Sequence, residues 1–317
     1  MTKEFKTHAE QIGILKSKNL IIFDCANTRR ILERGNYYNI INAYNDLFLD
    51  SASPEEKYVS GVKFEEIVAL FKFDKKLKKI FLERLLKMEN AIKSVLAYEF
   101  SNKYGKDNYL LFSNFDSLRQ TSTTKKTINK RLEQIHNLIS DVQKTIAYSC
   151  DKKKYINHYL VKYGFVPLWV LVNAVTFGTV SKFYGLMKQA EKIEVAKKFG
   201  VPYADLDNYI KIMSFYRNIC AHDERLYDER ETITSIPDTK YHLILKINKK
   251  SNRYIYGKND LFSLYITLKV LMSNSEFSEL KNEIYEIVKD LKTKLTTIPV
   301  ANVLEKMGFP KNWRALK

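Results

Sequence analysis

Between residues 64 and 104 the apolar positions recur every third or fourth residue: Phe64, Ile67 and Phe71, then Leu77, Phe81, Leu85, Met88, Ile92 and Leu96. That spacing keeps one face of an α-helix apolar and predicts a long amphipathic helix. Unbroken, ~40 residues would run ~60 Å at 1.5 Å per residue. That is long for one globular domain, so a break is expected near Phe73–Asp74, with Gly105 as the terminal stop. Ahead of it, "EQIGILKSKNLII" and "CANTRRILERGNYYNIINAYNDLF" predict two short helices within 8–50, with Gly35 as a stop and Asn36 as a restart.

Downstream, "TSTTKKTINKRLEQIHNLISDVQKTIAY" predicts a helix capped at its start by Ser or Thr. "YINHYLVKYGFVPLWV" should break at Gly164 and Pro167, and Val166–Val180 reads as one buried helix. It contains Asn173 and Gly178 and falls short of the ~20 apolar residues a membrane span needs. "KQAEKIEVAKKFG" predicts a short helix stopped at Gly200, and the next helix begins near Asp205. After Glu231 the texture changes: "YHLILKINKKSNRYIYG" carries β-prone runs around a polar turn and allows one small hairpin. Helices resume from Asp260 to Val288 or beyond. No repeat or long linker interrupts this order. The expectation is an all-α helical bundle, one domain over 1–317, with 231–259 as an irregular insertion.

Composition agrees: Gly (10) and Pro (6) are scarce and hydrophobic residues reach 45%, enough for a core. Charge adds something new. Lys and Arg number 53 against 36 acidic residues, a net +17, which draws in polyanions such as RNA, DNA or an anionic membrane surface. A Lys-rich genome produces the same excess with no partner at all. The three cysteines, Cys25, Cys150 and Cys220, lie far apart, so neither a disulfide framework nor a zinc site is expected. With no apolar leader at the start, a reduced cytoplasmic protein is the expectation.

The densest chemistry lies in "FYRNICAHDERLYD", Phe215–Asp228. On a helix over 205–227, Ile212, Phe215, Ile219 and Leu226 form a core-facing stripe, with Asn218, His222 and Arg225 on its flank. Arg217 lies ~140° from His222 around that helix, so a shared site requires a long reach or two copies meeting at a two-fold axis. An imidazole suits proton transfer near neutral pH. A guanidinium offers a permanently charged fork for phosphate oxygens. RNA can be cut by its own 2′-hydroxyl with these groups and no metal. The spacing by itself is more often that of a capped or hydrogen-bonded polar flank.

"RNICAHDERLYD" resembles the signature of the abortive-infection AbiD/AbiF-like family, RN-x-x-AH-x-x-RL. "GNYYNIINAYNDLF", the block from Phe64 to Gly105, and "INHYLVKYGFVPLWVLVNAVTFGTVSKFYGLM" are similar to further blocks of that family in the same order. The region after about 231 is less similar. The chain departs from the family's pattern at "FDKKLKK", where Lys stands for Arg, and at Tyr227-Asp228, where Trp-Asn is common. The family is similar to HEPN domains, helical bundles that are often dimeric and often metal-independent endoribonucleases. The resemblance implies Arg217, Asn218 and His222 as catalytic, no cofactor and no metal. It also implies a homodimer, and RNA as substrate and as a restraining non-coding antitoxin, in phage defence or a toxin–antitoxin pair. A non-catalytic HEPN protein holding a small RNA is the alternative, and a nucleotide- or protein-modifying enzyme a third.

Arg225, Lys75, Lys78, Lys152, Lys153, Lys249, Lys250 and Arg253 are the candidate phosphate contacts, though exposed lysine runs look the same. Tyr241, Tyr254 and Tyr256 lie among the last of these and suit base stacking. Glu83 and Glu89 could pair with Arg217 or orient His222, with a solvated salt bridge as the plainer expectation. His158 reads as a hydrogen-bonded packing residue, and Trp169 and Phe177 as core.

Overall fold

The computed structural model describes residues 4–118 and 124–316. In chain order its helices are α1 (His8–Ser17), α2 (Cys25–Gly35), α3 (Phe64–Tyr104), α4 (Lys125–Ser149), α5 (Lys154–Tyr163) and α6 (Leu168–Leu171). They continue as α7 (Phe177–Leu186), α8 (Gln189–Lys197), α9 (Tyr203–Ala221), α10 (Lys240–Ile244), α11 (Leu261–Leu271), α12 (Asn274–Lys294) and α13 (Val300–Lys306). Two short strands, β1 (Lys249–Lys250) and β2 (Arg253–Tyr254), make an antiparallel hairpin among them. The fold is all-α, as expected.

Local chemistry explains most boundaries. Asp24, Thr124, Thr176 and Asp260 each accept a backbone N–H in the first turn of the next helix. Thr124 supplies the expected cap of α4; the other Ser and Thr of that run, 121–123, lie outside the described residues. Gly164 caps α5 at φ 74, and Gly105 and Gly200 take φ 86 and 66 after α3 and α8. Ser251 and Asn252 both stand at positive φ, the conformation a two-residue hairpin turn requires.

Three expectations change. The helix α3 has no break at Phe73–Asp74. Neither Gly nor Pro occurs between Phe64 and Tyr104, so nothing in the backbone interrupts it. The apolar run Val166–Val180 is two helices instead of one. Asn173 Nδ2 donates to the carbonyls of Trp169 and Val170 at 3.3 and 3.2 Å, closing α6, and Thr176 then starts α7. The β-prone "YHLIL" is helical, because Thr239 and His242 form a capping box that starts α10.

The chain separates into two compact units, Met1–Leu82 with Ile219–Arg230 and Asp238–Lys317, and Glu83–Asn218 with Glu231–Pro237. The segment expected as one insertion is thus shared between them. The first unit buries Leu15, Leu32, Phe48, Phe64, Ile67, Leu70, Leu77 and Phe81, and α11 is buried all round from Leu261 to Lys269. Phe262, Tyr265, Phe277, Phe309 and Trp313 form its aromatic cluster, with ring centroids 4.8–5.8 Å apart. In the same unit Glu66 accepts from Thr296 and Thr297, through backbone and hydroxyl. The second unit packs Leu85, Ile92, Leu96, Ile135, Leu138, Val142 and Val180 around an aromatic trio, Phe100, Phe115 and Phe183.

Asp260 gives the first unit a measurable pH dependence. Its carboxylate accepts from the backbone N–H of Gly257 and Ser263, yet burial pushes its pKa up to about 7, against the pull of Arg230 and those donors. The unfolded-state value is near ~3.9, so folding favours the protonated acid. That contribution is complete below pH ~4 and is lost as the pH rises through 7. Asp260→Asn should therefore lose less stability than wild type between pH ~4.5 and ~8, read as the shift of the urea midpoint. Equal shifts in both proteins would contradict the assignment.

Candidate functional site

Arg217 and Asn218 belong to the second unit, on the last full turn of α9. Upstream, Leu206, Ile210 and Met213 are fully buried and hold the helix in place. The Arg217 side chain is 28% exposed, and its Nε donates to Glu89 Oε2 at 3.1 Å. The other oxygen, Glu89 Oε1, takes Lys93 Nζ at 2.7 Å, and Lys93 also donates to the Val175 carbonyl at 2.9 Å. Glu89 is buried, so the solvated bridge expected of it is instead a carboxylate clamped between two cations. One carboxylate faces two positive groups, and a net positive charge remains. Both terminal nitrogens of the Arg217 fork are without hydrogen bonds among the described residues. Asn218 is exposed. Glu83 is largely exposed and pairs at 2.6 Å with its neighbour Arg84, which is buried, so the bridge is solvated on the carboxylate side alone.

His222 belongs to the first unit and is exposed. The helix that carries the motif ends at Ala221, six residues before the predicted end at 227. Asp223 adopts a left-handed conformation at φ 56, and the Glu224 N–H donates back to the Ile219 carbonyl at 3.1 Å. This is a helix-closing turn, and it leaves the imidazole at the helix terminus instead of on its flank. Lys78 fastens the turn: its Nζ donates to the Asp223 carboxylate at 2.5 Å and to the Asp223 carbonyl at 3.1 Å. Burial raises the Asp223 pKa, but Lys78 and Lys75 outweigh it and hold the carboxyl below the ordinary range.

Asp74 then anchors the segment beyond the turn. Although it lies on the apolar stripe of α3, it accepts from the Leu226 N–H at 3.1 Å, the Tyr227 N–H at 2.8 Å and the Tyr44 hydroxyl at 2.7 Å. Tyr44 and Tyr227 stack with centroids 5.9 Å apart, and the Tyr227 hydroxyl donates to Asp46 at 3.0 Å. Burial drives the Asp74 pKa upward in spite of these donors and Lys78. Burial likewise lifts Asp228 to about 6, opposed by Arg225.

The candidate phosphate contacts divide. Arg225 is engaged within the protein, donating to the Ala43 carbonyl at 2.7 Å and pairing with Asp228 at 2.9 Å. Lys78 is only 5% exposed and committed to Asp223, so its expected place on a surface track gives way to a structural one. Lys75 is exposed, lies 4.8 Å over the Phe71 ring and is 3.7 Å from Asp223. Lys152 lies 3.4 Å over exposed Tyr148, and Lys153 lies 5.8 Å from the Tyr155 ring. Lys250 and Arg253 pair across the hairpin and are exposed, whereas Lys249 is held by Asp238 at 3.2 Å. Of the tyrosines expected there for stacking, Tyr254 is buried against His242 and Tyr256 donates to Glu305.

His158 is exposed on α5 with its ring against Tyr159 and Tyr163, not packed inside. Phe177 is core, but Trp169 is exposed. Asp74, which holds the segment after the motif, and Lys93, which shares Glu89 with Arg217, have no such role in the sequence reading. Asp74 carried a usable signal, a carboxylate in register with Ile67, Leu70, Leu77 and Phe81. Among the described residues no cluster of His, Cys, Asp and Glu suits a metal ion, and no helix is long and apolar enough to cross a membrane.

These features define an all-α protein whose motif helix is followed directly by an exposed histidine, with an arginine five positions earlier fixed by a buried glutamate. The family model described as Abi-like protein matches residues 30–228, well over half the chain, and the chain belongs to that family. The match includes α3, the whole motif helix and the Asp74-bound segment up to Asp228. Membership supports a general role in abortive infection, a form of phage defence. No match was found among curated proteins or among solved structures.

Proposed function

We propose that this chain is a HEPN-type endoribonuclease of abortive infection. The 2′-hydroxyl of one ribose attacks its own phosphodiester, the P–O5′ bond breaks, and the products carry a 2′,3′-cyclic phosphate and a 5′-hydroxyl. His222 moves the proton between the attacking and leaving oxygens. Arg217 offers its unbonded terminal nitrogens to the phosphate and stabilises the charge that builds there. Asn218 adds a neutral polar contact beside Arg217. The protein acts as a homodimer, and Lys75, Lys152, Lys153, Lys250 and Arg253 draw RNA in through phosphate contacts.

The observation that carries this reading is the accessibility of the motif's two reactive groups: an exposed imidazole, and a partly exposed guanidinium fixed through Nε alone. The net charge of +17 supports it by favouring encounter with RNA.

The test is incubation of purified full-length protein with cellular RNA in buffer containing a chelator. The expected result is fragments ending in cyclic phosphate, and no scission at a site carrying a 2′-O-methyl group. RNA that is bound tightly and salt-sensitively but stays intact would replace this reading with that of a non-catalytic RNA holder.

A further inference from the structure

A second feature lies in the same unit as Arg217. A groove of about 660 Å³ runs along α3 and α6. Its lining includes Lys93, Asn102, Ser101, Tyr98, Trp169 and Asn173. Two large rings stand at its walls: Trp169 is 48% exposed and Tyr98 is 66% exposed. Neither contacts another aromatic ring among the described residues. Between them lie amide and hydroxyl groups, and Ser101 Oγ is shielded from solvent yet has no hydrogen-bond partner. Lys93, in its lining, shares the Glu89 carboxylate with Arg217, so one carboxylate links the groove to the guanidinium.

We propose that this groove holds unpaired bases of an RNA strand next to the linkage that is cut, with Trp169 and Tyr98 as stacking surfaces. The ligand's identity as RNA rests on the nuclease reading above; the site itself rests on the groove. Flat exposed rings gain by covering their faces, and every base has a face to offer. The Asn102 amide and the Asn173 side-chain carbonyl supply donors and acceptors for base edges. Lys93 and Arg217 place positive charge where the backbone phosphate continues. A paired helix keeps its bases stacked inside and gives these rings nothing to cover. The groove therefore selects single-stranded RNA.

The chain has two tryptophans, and the other, Trp313, is 3% exposed within the first unit's aromatic cluster. Tryptophan emission that responds to added RNA consequently reports on Trp169. The probe is a short 2′-O-methyl oligoadenylate, which cannot be cleaved by 2′-hydroxyl attack. The expected result is saturable quenching in the wild-type protein and none in Trp169→Phe. Fluorescence anisotropy of a labelled probe should show affinity falling by about 10- to 100-fold in Trp169→Ala and in Tyr98→Ala. The same strand in a duplex should bind the wild type no better than the single strand binds Trp169→Ala.

Equal affinity in wild type and both alanine variants would overturn the proposal. So would a Trp169→Ala protein that changes its oligomeric mass while binding the probe normally, since the groove would then belong to a second copy of the chain. Quenching without any scission of unmodified RNA leaves the groove standing and removes the nuclease reading. Scission with no effect at Trp169 or Tyr98 does the reverse.

Discussion

His222→Ala should fold normally and lose RNA cleavage by about 10²–10⁴-fold, the range expected when a positioned proton-transfer group is removed. The side chain is exposed and has no hydrogen bond among the described residues, so its loss should shift stability by no more than about 0.5 kcal/mol. That contrast makes the result decisive, because a large kinetic effect cannot be attributed to unfolding. Arg217→Ala is the companion. It leaves Glu89 paired with Lys93 at 2.7 Å, so the buried carboxylate keeps one partner. Arg217→Lys keeps the charge but not the planar fork, and should recover only part of the activity. Initial rates on one RNA under single-turnover conditions, beside urea unfolding of the same preparations, provide the measurement. Full cleavage by His222→Ala would remove the mechanism.

Asp74→Ala should have the largest effect on stability, a loss of about 3–5 kcal/mol. The carboxylate is fully buried and accepts from two backbone N–H groups and the Tyr44 hydroxyl. Alanine leaves those donors without an acceptor in a place water does not reach, and an unmade buried hydrogen bond costs more than a made one contributes. It also leaves Lys78, buried and 3.8 Å away, with the exposed Asp223 as its remaining carboxylate. Asp74→Asn should be milder, since its amide oxygen still accepts while its NH₂ faces other donors. The urea midpoint measures the loss, and hydrogen exchange at Leu226 and Tyr227 localises it. A midpoint within about 0.5 kcal/mol of wild type would show that the segment is held by its apolar contacts alone.

These two variants separate what local pattern announces from what folding assembles. The 3.6-residue periodicity of α3, the Ser/Thr cap of α4, and the stops at Gly105, Gly164 and Gly200 were legible because each depends on neighbours in sequence. The three residues of the proposed site were legible for the same reason: Arg217, Asn218 and His222 lie within six residues, and the ordered blocks around them resemble one family. The end of α9, at Ala221 and not at 227, is not legible there because its stop is made in space. Lys78, far away in sequence, grips Asp223, and Asp74 takes the backbone of Leu226 and Tyr227. No residue within 205–227 is a Gly or Pro that would have signalled it.

Sequence by itself determined that the chain is helical, strongly basic and built around an R-N-x-x-x-H helix, because propensity, net charge and short spacing are properties of adjacent or summed residues. Only the tertiary structure decided which charges face water. Arg225 and Lys78 are tied to partners within the protein, Glu89 is clamped between Arg217 and Lys93, and Trp169 stands at a groove instead of in the core. Whether a side chain is buried or open depends on elements brought together from distant parts of the chain, and apolar or charged character alone does not say which neighbours will cover it.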